Sequence, residues 1–155
     1  MSQGDIVIRL ARGDDADVLT DLALSSKASW GYSAEFIEAC RAELTMTPEK
    51  LAAWDVWVAE SGREIVGMVA LNTLGGEAEV EDFFVEASFQ GRGVGSALMR
   101  VLIDTCRARK ISQLSLDADP NAEPIYARLG FVTIGRSPSG SIPGRFLPRM
   151  VRVLA

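Results

Sequence analysis

Apolar and polar positions alternate along the chain in two different rhythms, and the changes between them mark its elements. Residues 6–10 predict a first strand, and Asp14 or Asp15 then opens a helix whose apolar positions Ala16, Leu19, Leu22 and Ala23 keep helical spacing to near residue 25. Ser33 is placed to cap a second helix with Phe36, Ile37, Cys40 and Leu44 as its buried stripe, and Thr47-Pro48 begins a short third turn. From Trp54 onward the period is that of a strand. Residues 54–61 and 65–71 predict an antiparallel hairpin about Ser61-Gly62-Arg63-Glu64, and a second turn cluster at 72–76 leads into a strand over 78–85. Helical spacing returns over 94–109, where Val94, Ala97, Leu98, Val101, Leu102 and Thr105 share one face. A strand at 113–118, a short helix at 122–129 ended by Gly130, a strand at 131–135, a Ser/Pro/Gly-rich loop at 137–143 and a last strand at 147–153 complete the order.

Three strands meander before the long helix, and strand, helix and strand then follow, which predicts a mixed α/β sheet in one layered domain spanning residues 1–155. Composition agrees: 48% of residues are hydrophobic and 24% charged, so the whole chain is expected to fold around one core. Met1-Ser2-Gln3-Gly4-Asp5 carries no basic segment followed by an apolar one, and no uncharged apolar run approaches the ~18 residues a membrane span needs. A cytoplasmic protein without a membrane partner is expected. Cys40 and Cys106 each sit inside a helical pattern, as small buried thiols do in a reducing compartment.

The chain contains no histidine. That removes the usual zinc ligand sets and the Ser/His/Asp and Cys/His nucleophilic machineries, so no metal is expected and acid–base work falls to carboxylates, tyrosine, amines or water. A net charge of −5 and a pI near 4.8 argue against nucleic acid as a partner and favour small, including cationic, ones.

The segment richest in chemistry is Glu86-Ala87-Ser88-Phe89-Gln90-Gly91-Arg92-Gly93-Val94-Gly95-Ser96-Ala97, a glycine-rich loop running into the strongest amphipathic helix. Glycines allow the backbone to aim several N–H groups at one anion, and the helix dipole favours negative charge there. Hydrogen bonds to a charged group contribute roughly 1.5–3 kcal/mol each, so a few amides can hold a diphosphate without clustered lysines. Arg92 is either a direct charge contact or a surface residue. A Walker loop is excluded because Gly95-Ser96-Ala97 offers no lysine, and the antiparallel lead-in does not fit a Rossmann fingerprint.

Gln90-Gly91-Arg92-Gly93-Val94-Gly95 resembles the Gln/Arg-x-x-Gly-x-Gly/Ala signature of the GNAT superfamily of N-acetyltransferases. Glu81-Asp82-Phe83-Phe84-Val85 is similar to the strand that precedes that signature. Asn121 with Tyr126-Ala127-Arg128-Leu129-Gly130-Phe131 is similar to the segment that follows, with a shorter interval between Asn121 and Tyr126 than in many relatives. The resemblance implies a mostly antiparallel sheet of about seven strands flanked by about four helices. It also implies acetyl-CoA as co-substrate, a small-molecule amine or peptide as acceptor, and transfer by direct attack. The coenzyme would lie where the strand ending at Val85 splays from strand 113–118, touching Phe83, Phe84 and Val85, the loop from Gln90 to Ser96, Asn121 and Tyr126. Amides near Phe84 and Val85 would face the acetyl group, and Tyr126 would be the acid for the leaving thiolate. A non-catalytic acyl-CoA-binding or sensing module is the alternative.

Deprotonating the incoming ammonium needs a base. Strand parity places Glu79, Glu81, Phe83 and Val85 on one face and Val80, Asp82 and Phe84 on the other. Glu81 is the preferred base, then Glu79, with Asp117 third. Trp30 and Tyr32 are candidate substrate contacts or a packed loop plug. Arg145, with Arg136 and Arg149 beside the same loop, is a candidate to hold a substrate carboxylate. The final strand, as an uncovered sheet edge, would be the route to a homodimer.

Overall fold

The computed structural model describes residues 5–154; Met1 to Gly4, part of the segment read above for a leader, and Ala155 lie outside it. Seven strands, β1 (Ile6–Leu10), β2 (Asp55–Ser61), β3 (Glu64–Leu74), β4 (Glu77–Val85), β5 (Gln113–Asp117), β6 (Val132–Pro138) and β7 (Phe146–Val153), form one sheet. Their order is β1-β2-β3-β4-β5-β7-β6, and every neighbouring pair is antiparallel except β4 with β5. The helices are α1 (Ala16–Ala28), α2 (Ala34–Leu44), α3 (Pro48–Ala53), α4 (Val94–Ala108) and α5 (Glu123–Arg128). The fold is thus α/β with a mostly antiparallel seven-stranded sheet, as expected.

Local chemistry accounts for most element ends. The Ser33 side chain accepts from the Phe36 amide and that of Thr47 from the Lys50 amide, and Pro48 follows at the first helical position, so 48–53 is a full helix. α1 runs three residues beyond its expected end because its serines find partners: Ser25 Oγ donates to Leu22 O at 3.2 Å, and Ser26 Oγ to Val85 O at 3.3 Å, tying the end of α1 to the end of β4. The expected turn at 72–76 shrinks to Gly75-Gly76, since Asn72, Thr73 and Leu74 pair with Glu79, Ala78 and Glu77.

The sheet separates two apolar layers. On one side α4 packs Leu98, Met99, Leu102 and Cys106 against Val69, Leu71, Leu114, Leu116 and Met150; on the other α1 and the α2–α3 link bring Leu19, Leu22 and Met46 onto Val56, Val58 and Met68. The buried face of α4 is rotated from the expected one: Met99, Ile103 and Cys106 are buried where Ala97, Val101 and Thr105 are half-buried. Ile111, Phe131 and Met150 sit in the same cluster and draw that flank inward. Both cysteines are free and buried.

Two expectations are corrected by the sheet. The last strand in sequence, β7, is interior, hydrogen-bonded to β5 and β6, so it offers no edge; β1 and β6 are the edges. Strand parity also fails in β4. Ala70 pairs with Asp82 but Leu71 pairs with Val80, so Glu81 is an extra residue that bulges out of the ladder. The bulge shifts the alternation by one place. Val80, Phe83 and Val85 pack on the α4 side, Phe84 packs on the α1 side, and Asp82 and Phe84 therefore share the face of Glu79.

Candidate active site

β4 and β5 pair only at Glu77–Gln113, Ala78–Leu114 and Glu79–Ser115, and beyond that point the strands part. A cavity of about 770 Å³ opens in the split, within the range of small-molecule sites. Its lining runs continuously from Gln90, Gly91, Gly93, Gly95 and Ser96 at the head of α4, past β4 and Tyr126, to Trp30, Glu43, Lys50 and Trp54 on the helical side.

At the first end, Gly91 (φ +78°) and Gly93 (φ +84°) take left-handed conformations, and Gly93 caps α4 with its carbonyl accepting from Ala97 N at 3.0 Å. L-residues with a Cβ avoid that region, so the loop shape that leaves the first amides of α4 facing outward depends on glycine. Gly95 serves a different need: a Cβ there would lie 3.1 Å from Phe83 Cζ, so its absence lets α4 close on β4. Val94 is buried beneath the helix, and the Arg92 guanidinium lies over the Phe89 ring at 5.1 Å, outside the cavity lining.

Where β4 lacks a neighbour its main chain is available. Glu86 N donates to Val66 O at 2.8 Å, and alternation along the ladder then turns Phe84 toward β3 and Phe83 and Val85 toward the split. The amides directed at the cavity are therefore those of Phe83 and Val85; Phe84 contributes its side chain. Val85 O accepts from Ser26 Oγ at 3.3 Å and from Gln90 Nε2 at 3.4 Å, which fixes the end of the strand against both α1 and the loop.

Tyr126 lies on α5 at 8% exposure and lines the cavity, with its ring tilted against Phe83 (5.7 Å) and edge-on to Phe131 (5.9 Å). Burial, reinforced by the charges of Asp82 and Asp119, raises its hydroxyl pKa well above the usual 10, so it stays protonated throughout the accessible pH range.

The candidate bases are placed unequally. Arg149 of β7 reaches across β5 and grips Glu79 with both terminal nitrogens, while its Nη1 also donates to Asp117 at 3.1 Å. Glu79 and Asp117 are thus ion-paired at the vertex of the split. Glu81, carried outward by the bulge, is exposed and accepts from Asn72 Nδ2 at 3.0 Å. Asp82, which parity had placed on the opposite face, lines the cavity beside Phe83 and has no hydrogen-bond or ion-pair partner among the described residues. Burial, with smaller additions from Glu81 and Glu43 against an opposing Lys50, raises its pKa from 3.8 to about 7. The bulge that misplaces Asp82 in a parity argument leaves no mark in the sequence.

Tyr32 forms a hub instead of a cavity wall. Its hydroxyl donates to Asp119 and accepts from Asn121 Nδ2 (3.0 Å) and Arg145 Nη2 (2.7 Å), and its ring stacks on Phe36 at 4.1 Å. Arg145 also lies over the Phe36 ring at 4.8 Å, and Lys27 Nζ donates to Asp119 at 2.6 Å. Burial works to raise the pKa of Asp119, but the donors from Lys27, Asn121 and Tyr32 outweigh it and hold the carboxyl below its usual range. Tyr32, Asn121 and Arg145 therefore stand behind the lining, whereas Trp30 is part of it and 37% exposed. Among the described residues no group of His, Cys, Asp or Glu has a metal-binding arrangement, and no helix is long and apolar enough to cross a membrane.

Comparisons with known proteins converge on one family. The acetyltransferase (GNAT) domain model matches residues 21–140. The uncharacterized N-acetyltransferase YafP of Escherichia coli (strain K12) is 34% identical over 113 residues, covering 72% of this chain and 69% of that protein. The glucosamine 6-phosphate N-acetyltransferase 1 of Oryza sativa subsp. japonica is 31% identical over 75 residues, 48% of this chain and 46% of the rice protein. Among solved structures, a GCN5-related N-acetyltransferase from Rhodopseudomonas palustris superposes with a TM-score of 0.80 at 24% identity, covering 99% of both chains. The PaiA N-acetyltransferase of Thermoplasma acidophilum, solved with coenzyme A, superposes with a TM-score of 0.82 at 17% identity over 97% of this chain and 99% of that one. A split sheet, a glycine loop at its mouth and a buried tyrosine are thus set in a chain that belongs to the GNAT family of acetyltransferases.

Proposed function

We propose that the protein transfers an acetyl group from acetyl-CoA to a primary amine by direct attack, with no covalent enzyme intermediate. The observation that carries this reading is the single cavity joining the amides at the head of α4 to Asp82 and Tyr126 in the β4–β5 split. The thioester supplies the activated acetyl group; the chain supplies orientation and proton transfer.

The N–H groups of the loop from Gly91 to Ser96, backed by the α4 dipole, hold the diphosphate. The Phe83 and Val85 amides donate to the thioester oxygen, where negative charge develops during attack. Asp82 is the base. With a pKa of about 7 it is half ionised near neutrality and able to take a proton from an ammonium, while Glu79 and Asp117 are engaged by Arg149 and Glu81 is exposed. The nitrogen–carbon bond then forms, the carbon–sulfur bond breaks as the Tyr126 hydroxyl gives its proton to the departing sulfur, and the second proton that the nitrogen sheds on becoming an amide restores the Tyr126 hydroxyl.

The test is a thiol-release assay with acetyl-CoA against amino acids, polyamines, aminoglycosides and peptides, run beside calorimetric titration of acetyl-CoA. Release with at least one amine class supports catalysis. Tight binding of acetyl-CoA without release against any amine would mark a non-catalytic acyl-CoA-binding module.

A further inference from the structure

The geometry points to an acceptor that carries a second positive charge and no carboxylate, recognised by Glu43 and Glu81 at the helical end of the cavity. This inference rests on the acetyl-transfer reading, whose amine must enter from that end because the glycine loop occupies the other.

Six carboxylates line the cavity and only three cationic side chains do, Lys27, Lys50 and Arg128. What matters is which of them are free. Most groups suited to grip a substrate carboxylate are already committed inside the protein: Arg149 to Glu79 and Asp117, Arg145 to Tyr32 and the ring of Phe36, Lys27 to Asp119; the exception is Arg128 of α5, which is exposed and has no ion-pair partner among the described residues. Lys50 is pinned by donating to the Glu43 and Thr45 carbonyls at 2.9 and 2.8 Å. An amino-acid acceptor held by Arg145 is therefore not what this site offers.

The acids at the same end are less committed. Glu43 accepts a hydrogen bond from the neutral Ser141 hydroxyl and Glu81 from the neutral Asn72 amide, so neither has an ion-pair partner among the described residues. Both lie close enough to Asp82 for their charge to act on it. Asp82 itself is half-buried, lines the cavity and has no hydrogen-bond or ion-pair partner among the described residues. Trp30 and Trp54 also line the cavity, the Trp54 ring already carrying the Lys50 ammonium at 5.6 Å from its centroid. An ammonium poised for attack beside Asp82 leaves Glu43 and Glu81 to bind a second cationic centre on the same molecule. A carboxylate there would meet three acids and one immobilised lysine.

The experiment uses butylamine, diaminobutane and aminobutanoate, which share a carbon chain and end respectively in methyl, ammonium and carboxylate. Acetyl transfer and calorimetric binding to the acetyl-CoA analogue complex are measured for each at low and high salt. We expect diaminobutane to show a KM at least about tenfold below that of butylamine at low salt, narrowing as salt screens the contact, with aminobutanoate weakest. Glu43→Gln combined with Glu81→Gln should erase the preference by raising KM for the diamine to that of butylamine. Ser141→Ala, which removes only the hydroxyl contact to Glu43, should keep it. Equal KM for butylamine and diaminobutane, or aminobutanoate as the best acceptor, overturns the inference while leaving acetyl transfer intact. Preferential binding of the diamine without turnover of any amine upholds the inference and removes the catalytic reading.

Discussion

Replacing Asp82 by asparagine separates its role in stability from its role in catalysis, and both effects follow from one displaced pKa. In the folded protein burial raises the Asp82 pKa from 3.8 to about 7, so the carboxyl holds its proton more tightly when folded than when unfolded. Below about pH 4 the group is protonated in both states and has no effect on stability. As pH rises toward 7 the unfolded chain loses the proton first, and folding becomes progressively less favourable; above 7 the penalty is complete. The difference between the two values corresponds to at most about 4 kcal/mol. Because the half-buried side chain is partly wetted from the cavity, about 1–2 kcal/mol is the expected size. Asparagine has the same shape and no charge. At pH 8 the variant should therefore melt above wild type by roughly 2–8 °C, and at pH 4 the two should coincide. Thermal melts followed by circular dichroism across pH 4–9 read this directly. In the same variant kcat should fall by about 10²–10⁴, and the rise of the wild-type rate through about pH 7 should vanish. A melting difference that does not change with pH, together with an unaltered pH–rate profile, would refute the placement of a charged carboxyl in the cavity floor and its use as base.

Other expectations are testable singly. Tyr126→Phe should lower kcat at least tenfold with little change in acetyl-CoA affinity, measured by steady-state kinetics and calorimetry; unchanged turnover removes the acid role. Gly93→Ala forces a Cβ into a left-handed position and should reduce stability by about 1–2 kcal/mol, while weakening acetyl-CoA binding more than tenfold because the diphosphate-binding amides turn away. Arg149→Met leaves Glu79 and Asp117 close together without their cation and should lower stability by about 1–3 kcal/mol, an effect that Glu79→Gln in the same chain partly restores; an additive double variant would argue against the clamp. Tyr32→Phe should loosen the Asp119–Asn121–Arg145 hub by about 1–2 kcal/mol in chemical denaturation without a matching fall in acetyl-CoA binding.

Much of this protein is legible in its sequence. The element order, the capping of α2 and α3 by Ser33 and Thr47, and the glycine loop that opens α4 are local features, written in residues that stand next to one another. Tyr126, singled out by its resemblance to a known segment, lines the cavity. The misreadings share one character. Asn72–Leu74 looked like a turn because their strand partners lie on the far side of Gly75-Gly76, and β7 looked like an edge because its neighbour β6 precedes it in the chain.

By itself the sequence determined which segments form helices and strands and where glycines shape the loop at the head of α4, since backbone preference, capping and glycine conformation act over a few residues. The tertiary structure alone decided which acids are spent and which are free. One residue bulged at Glu81 turns Asp82 into the cavity, Arg149 reaches across a strand to occupy Glu79 and Asp117, and Arg145 is drawn into the Tyr32 hub. The pKa of a carboxyl depends on burial and on charges brought near it by remote parts of the chain, and neither is fixed until the sheet has closed its register.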